Sequence, residues 1–122
     1  MKRDMELIRK MVMLMDDAPT GFVSGGMVFE GFTEEQIGYH AYLIFDAGLA
    51  QGSDATDMDS SGPDYSLSHL TSAGHDFADS VRTEYIWNEV WADMQKKGMK
   101  TATLDVLKKL LDNKIKKYLD VD

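Results

Sequence analysis

The chain contains no cysteine. That excludes disulfide frameworks and thiolate zinc sites, and it suits a reducing cytoplasm. Long hydrophobic runs are missing as well. In the opening stretch "MKRDMELIRKMVMLMDD", where a signal peptide would lie, Asp4, Glu6, Arg9 and Lys10 interrupt any apolar region, and the longest uncharged apolar run is residues 11–15. A membrane helix needs roughly 20 apolar residues, so the expectation is a cytoplasmic protein that does not engage a membrane. Basic residues are scarce through the middle: residues 32–95 carry twelve acids against Arg82, while residues 96–122 carry eight lysines against four acids. The net charge of −8 thus divides into an acidic middle and a basic tail.

Signatures of catalysis are also lacking. Ser66, Ser68 and Ser72 are not set in a nucleophile-elbow glycine pattern, and neither a phosphate loop nor a dinucleotide fingerprint occurs. The three histidines, His40, His69 and His75, have no ligand spacing; His75, just after "LTSAG", suits a capping or packing role. "DMDSSG" puts Asp57, Asp59, Ser61 and Gly62 at the first, third, fifth and sixth positions of a calcium loop, but the twelfth is Ser68, where a bidentate glutamate is required. The sequence therefore predicts no enzyme, no metal and no cofactor.

What is present is periodic. Hydrophobic residues at 43% and charged residues at 28% are ordinary for a folded domain, and 122 residues suffice for one core. Met5, Ile8, Met11, Val12 and Met15 recur at helical spacing and predict a helix over 2–17, stopped by Pro19 and Gly21. "MVFEGF", residues 27–32, reads as a strand. Thr33 and Gln36 form a capping box that starts a helix, with Ile37, Ala41 and Ile44 inward, Gly48 ending it, and Tyr39, His40 and Tyr42 toward the other side or the boundary. "LAQG" and "DYSLSHL" predict a β-hairpin whose tip, "SDATDMDSSGP", is long, polar and acidic. Thr71 caps a helix carrying Phe77, Ala78 and Val81; the stripe changes phase near 82–85, where a break with Thr83 as a new cap leads to Ile86, Val90 and Met94 beside Trp87 and Trp91. A last helix over 102–119 sets Leu104, Leu107, Leu111, Ile115 and Tyr118 against Lys108, Lys109, Lys116 and Lys117.

This order, with "YHAYLIFDAGLA" before the hairpin and "LTSAGHDF" after it, resembles the winged-helix superfamily. From "MKRDMELIRK" through "GFTEEQIGYH", "AGL" and "LTSAGHDF", the chain is also similar to a bacterial and prophage family built on a domain of unknown function. The resemblance implies an α+β, mainly α fold: a winged helix-turn-helix-like core over 1–82 with a small antiparallel sheet of two or three strands, and a helical extension over 83–122 packed on it. One departure is that "TGFVSGGMVFEGF" replaces the helix normally found just before a recognition helix.

A winged helix that reads DNA inserts one helix into the major groove and lays its wing on the backbone. Here the groove-facing set would be Glu34, Glu35, Gln36, Tyr39 and His40, and the wing would carry Asp54, Asp57, Asp59 and Asp64. Such a surface repels phosphate, so DNA is disfavoured by charge and a protein partner or a homodimer is expected instead. Trp87 and Trp91, at i and i+4, either pack against the last helix or, together with Lys108, Lys109, Lys116 and Lys117, form the candidate partner or dimer surface.

Overall fold

Asp4 opens the first helix: its carboxylate accepts from the amides of Glu6 and Leu7, satisfying donors that a helix start leaves free. The computed structural model describes residues 1–23, 26–98 and 104–119. Ser24 and Gly25, and residues 102–103 at the expected start of the last helix, lie outside the described residues. Helix α1, Met5–Asp16, buries the whole predicted stripe and Leu7 beside it.

Helix α2 (Glu34–Asp46) starts at the predicted capping box: the Thr33 hydroxyl accepts from the Gln36 amide at 3.1 Å, and the Gln36 side-chain oxygen accepts from the Thr33 amide at 2.8 Å. Its end is equally determined. Gly48 adopts φ +78°, its amide donates to the Phe45 carbonyl, and Leu49 donates to that of Ile44, a Schellman pair that needs a left-handed residue between.

Strands β1 (Ala50–Asp54) and β2 (Tyr65–Leu70) then pair antiparallel. The register slips between Gln51 and Gly52, so that Ser68 bulges out; its hydroxyl donates to the Gln51 carbonyl and its own carbonyl accepts from the Val23 amide at 2.8 Å. Among the described residues the sheet has these two strands only, and the strand expected over 27–32 does not form. That segment turns at Gly31, φ +87°, with Val28 84% exposed. Short apolar composition is insufficient for a strand without a neighbouring edge to bond along its length.

The two phrases "AGLA" and "LTSAGH" meet where α3 (Ser72–Arg82) begins. Thr71 donates its hydroxyl proton to the Gly48 carbonyl at 2.7 Å and its amide proton to that of Leu49 at 3.0 Å, while its oxygen accepts from the Gly74 amide. Gly74 lies so close to the Leu49 carbonyl that a Cβ there would overlap it. Helix α4 (Glu84–Lys96) follows after the predicted break at Thr83, which takes the N-cap position without a side-chain bond, and α5 spans Leu104–Tyr118. Among the described residues, five helices and one small antiparallel sheet make the fold α+β, mainly α.

The chain divides into two compact units, Met1–His75 and Asp76–Asp122. The first buries the apolar face of α1 together with Ile37, Ala41, Ile44, Leu49, Leu67 and Leu70. In the second, Phe77, Val81, Ile86, Trp87, Val90, Leu107 and Leu111 are buried.

Candidate functional site: an acidic cleft beside a row of aromatic rings

The first turn of α2 leaves Glu34 and Glu35 exposed, because the cap is already made by Thr33 and Gln36. Opposite them the hairpin tip is held by its own short polar side chains. Asp57 accepts from the Asp59 amide at 2.9 Å and from the Ser60 hydroxyl at 3.2 Å, while the Thr56 hydroxyl accepts from the Asp64 amide at 3.0 Å. Asp64 closes the hairpin base against α2 at Gly38, where a Cβ would overlap its carboxylate. The result is a cleft of about 550 Å³ lined by Glu34, Glu35, Tyr39, Asp57, Asp59 and Asp64, together with Met1 and residues 60–63. Among the described residues, five carboxylates line it and no lysine or arginine does.

Of the residues singled out on the helix and the wing, the structure therefore brings Glu34, Glu35, Tyr39, Asp57, Asp59 and Asp64 together. Three others are placed differently. Gln36 is occupied in the cap. Asp54 is exposed and bonds to Thr56, whose hydrogen bonds hold its carboxyl below the ordinary carboxylate value. His40 is 2% exposed and does not belong to the surface: its Nε2 accepts from the Asp4 amide at 2.8 Å and its Nδ1 donates to the Gln36 carbonyl at 2.7 Å, tying α2 to the start of α1.

The sequence reading missed a row of rings that leads out of the cleft. Tyr39 stands 6.0 Å from Tyr42, Tyr42 stands 5.3 Å from Tyr65, and Tyr65 stands 4.9 Å from Phe45, centroid to centroid. All four are half-buried. Burial pushes the Tyr65 hydroxyl above its ordinary value, and the nearby Asp54, Tyr42 and Asp46 add to the shift. The signal was present: Tyr39 and Tyr42 are three apart on one helix, and Tyr65 is the first residue of β2.

In the second unit, Trp87 is 2% exposed and so cannot contribute to a contact surface; Trp91 stacks on it at 5.7 Å and is half-buried. Lys109, Lys116 and Lys117 are exposed and Lys108 half-buried, with Lys109 paired to Asp105 at 3.2 Å. Lys114 bonds Glu89 at 3.3 Å and Asp93 at 3.5 Å across α4 and α5. Tyr118 donates its hydroxyl proton to Glu89 as well.

These contacts set a pH dependence. The Tyr118 hydrogen bond, helped by Lys114, holds the Glu89 carboxyl below its ordinary 4.5, and the bond to Glu89 raises Lys114 above its ordinary 10.5. A carboxyl held down contributes stability above its unfolded pKa, which is lost as pH falls through the lowered value; a raised lysine contributes until pH climbs past its folded value. The α4–α5 contact is thus expected to hold through neutrality and to loosen as pH falls below the ordinary carboxylate value of 4.5 toward the lowered one. Glu89→Gln should reduce the acid-side loss of helical circular dichroism, and a titration superimposable on the parent's would rule this assignment out.

No helix among the described residues is long and apolar enough to cross a membrane. No solved structure gives a significant match to the chain. It is 28% identical to an uncharacterized protein of Haemophilus influenzae over 122 residues, covering 98% of this chain and 99% of that one. The profile of the family described as "Hypothetical protein (DUF2513)" matches residues 2–100. With most of its length matched in this way, the chain belongs to the DUF2513 family.

Proposed function

We propose that this chain is a non-enzymatic, winged-helix-like regulatory or adaptor protein of bacterial or prophage origin, acting in the cytoplasm by binding a basic protein partner through its acidic cleft. The observation that carries this reading is the convergence of Glu34, Glu35, Asp57, Asp59 and Asp64, from two separate elements, on one open cleft of about 550 Å³. A partner bearing lysines and arginines gains association rate and specificity from such a field. The order of α2, hairpin and α3 favours a second reading, a DNA-binding regulator. Against it stands the duplex, which presents a charge about every 1.7 Å to the same carboxylates.

Binding to random duplex DNA in low salt separates the two, since nonspecific affinity is then at its strongest. No association at micromolar protein is expected. Capture from the native host with the parent chain and with a Glu34→Lys, Glu35→Lys, Asp57→Lys variant should retain a basic protein on the parent alone. Micromolar duplex binding, with Glu35→Ala altering the preference among sequences, would replace the adaptor reading with the regulator.

A further inference from the structure

The partner's charge can be specified further by the rings, and this step rests on the protein-binding reading above. Carboxylates alone attract lysine and arginine alike. The structure adds a second feature that does not: Tyr39, Tyr42, Tyr65 and Phe45 run in series from the cleft, at centroid spacings of 6.0, 5.3 and 4.9 Å, each partly open to solvent. A half-exposed row of four aromatic rings leaves apolar faces in water unless something stacks on them.

We infer that the tyrosine row and the acidic cleft together dock an extended, arginine-bearing segment of a partner protein, with guanidinium groups stacked on the rings and paired to the carboxylates around them. The arrangement suits guanidinium for two reasons. Its planar, weakly hydrated cation stacks on an aromatic face while its edge donates to a carboxylate, whereas an ammonium is compact and strongly hydrated. Carboxylates also flank the row at two of its rings: Asp64 and Glu35 line the same cleft as Tyr39, and Asp54 and Asp46 lie close enough to Tyr65 to act on its hydroxyl. In an extended peptide, alternate side chains point the same way, about 6.6 Å apart, so that successive arginines would reach successive parts of the row without matching it ring for ring. An arginine preference also separates this occupant from a second copy docking by its basic tail, because the cations of residues 96–122 are all lysines.

The test uses the full chain and two labelled peptides of equal length and charge, one alternating arginine with serine and the other lysine with serine, followed by fluorescence anisotropy at low and physiological salt. The arginine peptide is expected to bind about tenfold tighter, and to retain more of its affinity as salt rises. Tyr42→Leu and Tyr65→Leu should bring the arginine peptide down to the lysine level and leave the lysine peptide unchanged. Tyr42→Phe, which keeps the ring, should preserve the preference, so a misfolded leucine variant does not decide the matter. Glu35→Gln should weaken both peptides. Equal affinity of the two parent complexes overturns the guanidinium assignment while leaving the acidic-cleft reading intact. Failure of both peptides to bind at low salt overturns both.

Discussion

Alanine at position 74 should lower the melting temperature by about 10 °C or more, although helix propensity alone argues for the opposite. Gly74 lies in the first turn of α3, where alanine is worth about 1 kcal/mol more than glycine. The surroundings decide the sign. An added Cβ would overlap the Leu49 carbonyl, with the Leu70 side chain also at 3.0 Å. That carbonyl is fixed by the Thr71 amide and by the left-handed turn at Gly48, so it has no room to retreat. Overpacking against backbone costs about 3 kcal/mol or more, exceeding the propensity gain. Gly38→Ala supplies the internal comparison, since the obstacle there is the Asp64 carboxylate, the free end of a side chain that can swing into the cleft. Its net effect on melting should lie within about 1 kcal/mol of zero. Thermal unfolding of the two variants side by side checks the contrast, and equal melting temperatures would show that the Gly74 contact does not hold α3 to the end of α2.

Much of the fold was legible because it is written in local chemistry. The capping box at Thr33 and Gln36, the glycine after Ala47 and the break at Thr83 each depend on residues within four or five positions of one another, and each stands where the sequence puts it. The strand expected over 27–32 failed because strand formation depends on a partner edge, which no property of "MVFEGF" discloses. The acidic cleft was partly legible, since the charge pattern identified Glu34, Glu35 and the wing aspartates. Their meeting in space comes from the hairpin tip lying opposite the first turn of α2, where Gly38, lacking a side chain, leaves room for Asp64 against the helix. The aromatic row was only half legible for a related reason: Tyr39 and Tyr42 stand three apart on one helix, but Tyr65 joins Tyr42 and Phe45 through hairpin geometry, across twenty or more positions of sequence.

His40 shows the opposite kind of error, in which periodicity pointed one way and polarity another. It falls three residues after Ile37 and four before Ile44, on the buried face of α2, and its polar ring is accommodated there because both nitrogens have partners. With the Asp4 amide aimed at Nε2 and the Gln36 carbonyl at Nδ1, the neutral ring protonated on Nδ1 is the form that satisfies both. Nitrogen NMR of the imidazole should report that tautomer. His40→Ala should cost about 2–4 kcal/mol, from the cavity left by the ring and from two lost hydrogen bonds. His40→Leu, which refills most of the space, should cost about 1–2 kcal/mol. Urea unfolding of the pair measures the difference, and equal midpoints would mean that packing around His40 contributes nothing. The leucine variant carries a functional consequence as well. If His40 is the tie between α1 and α2 and not a reading residue, His40→Leu should bind the arginine peptide as the parent does, whereas Tyr42→Leu, one turn face away on the same helix, should not.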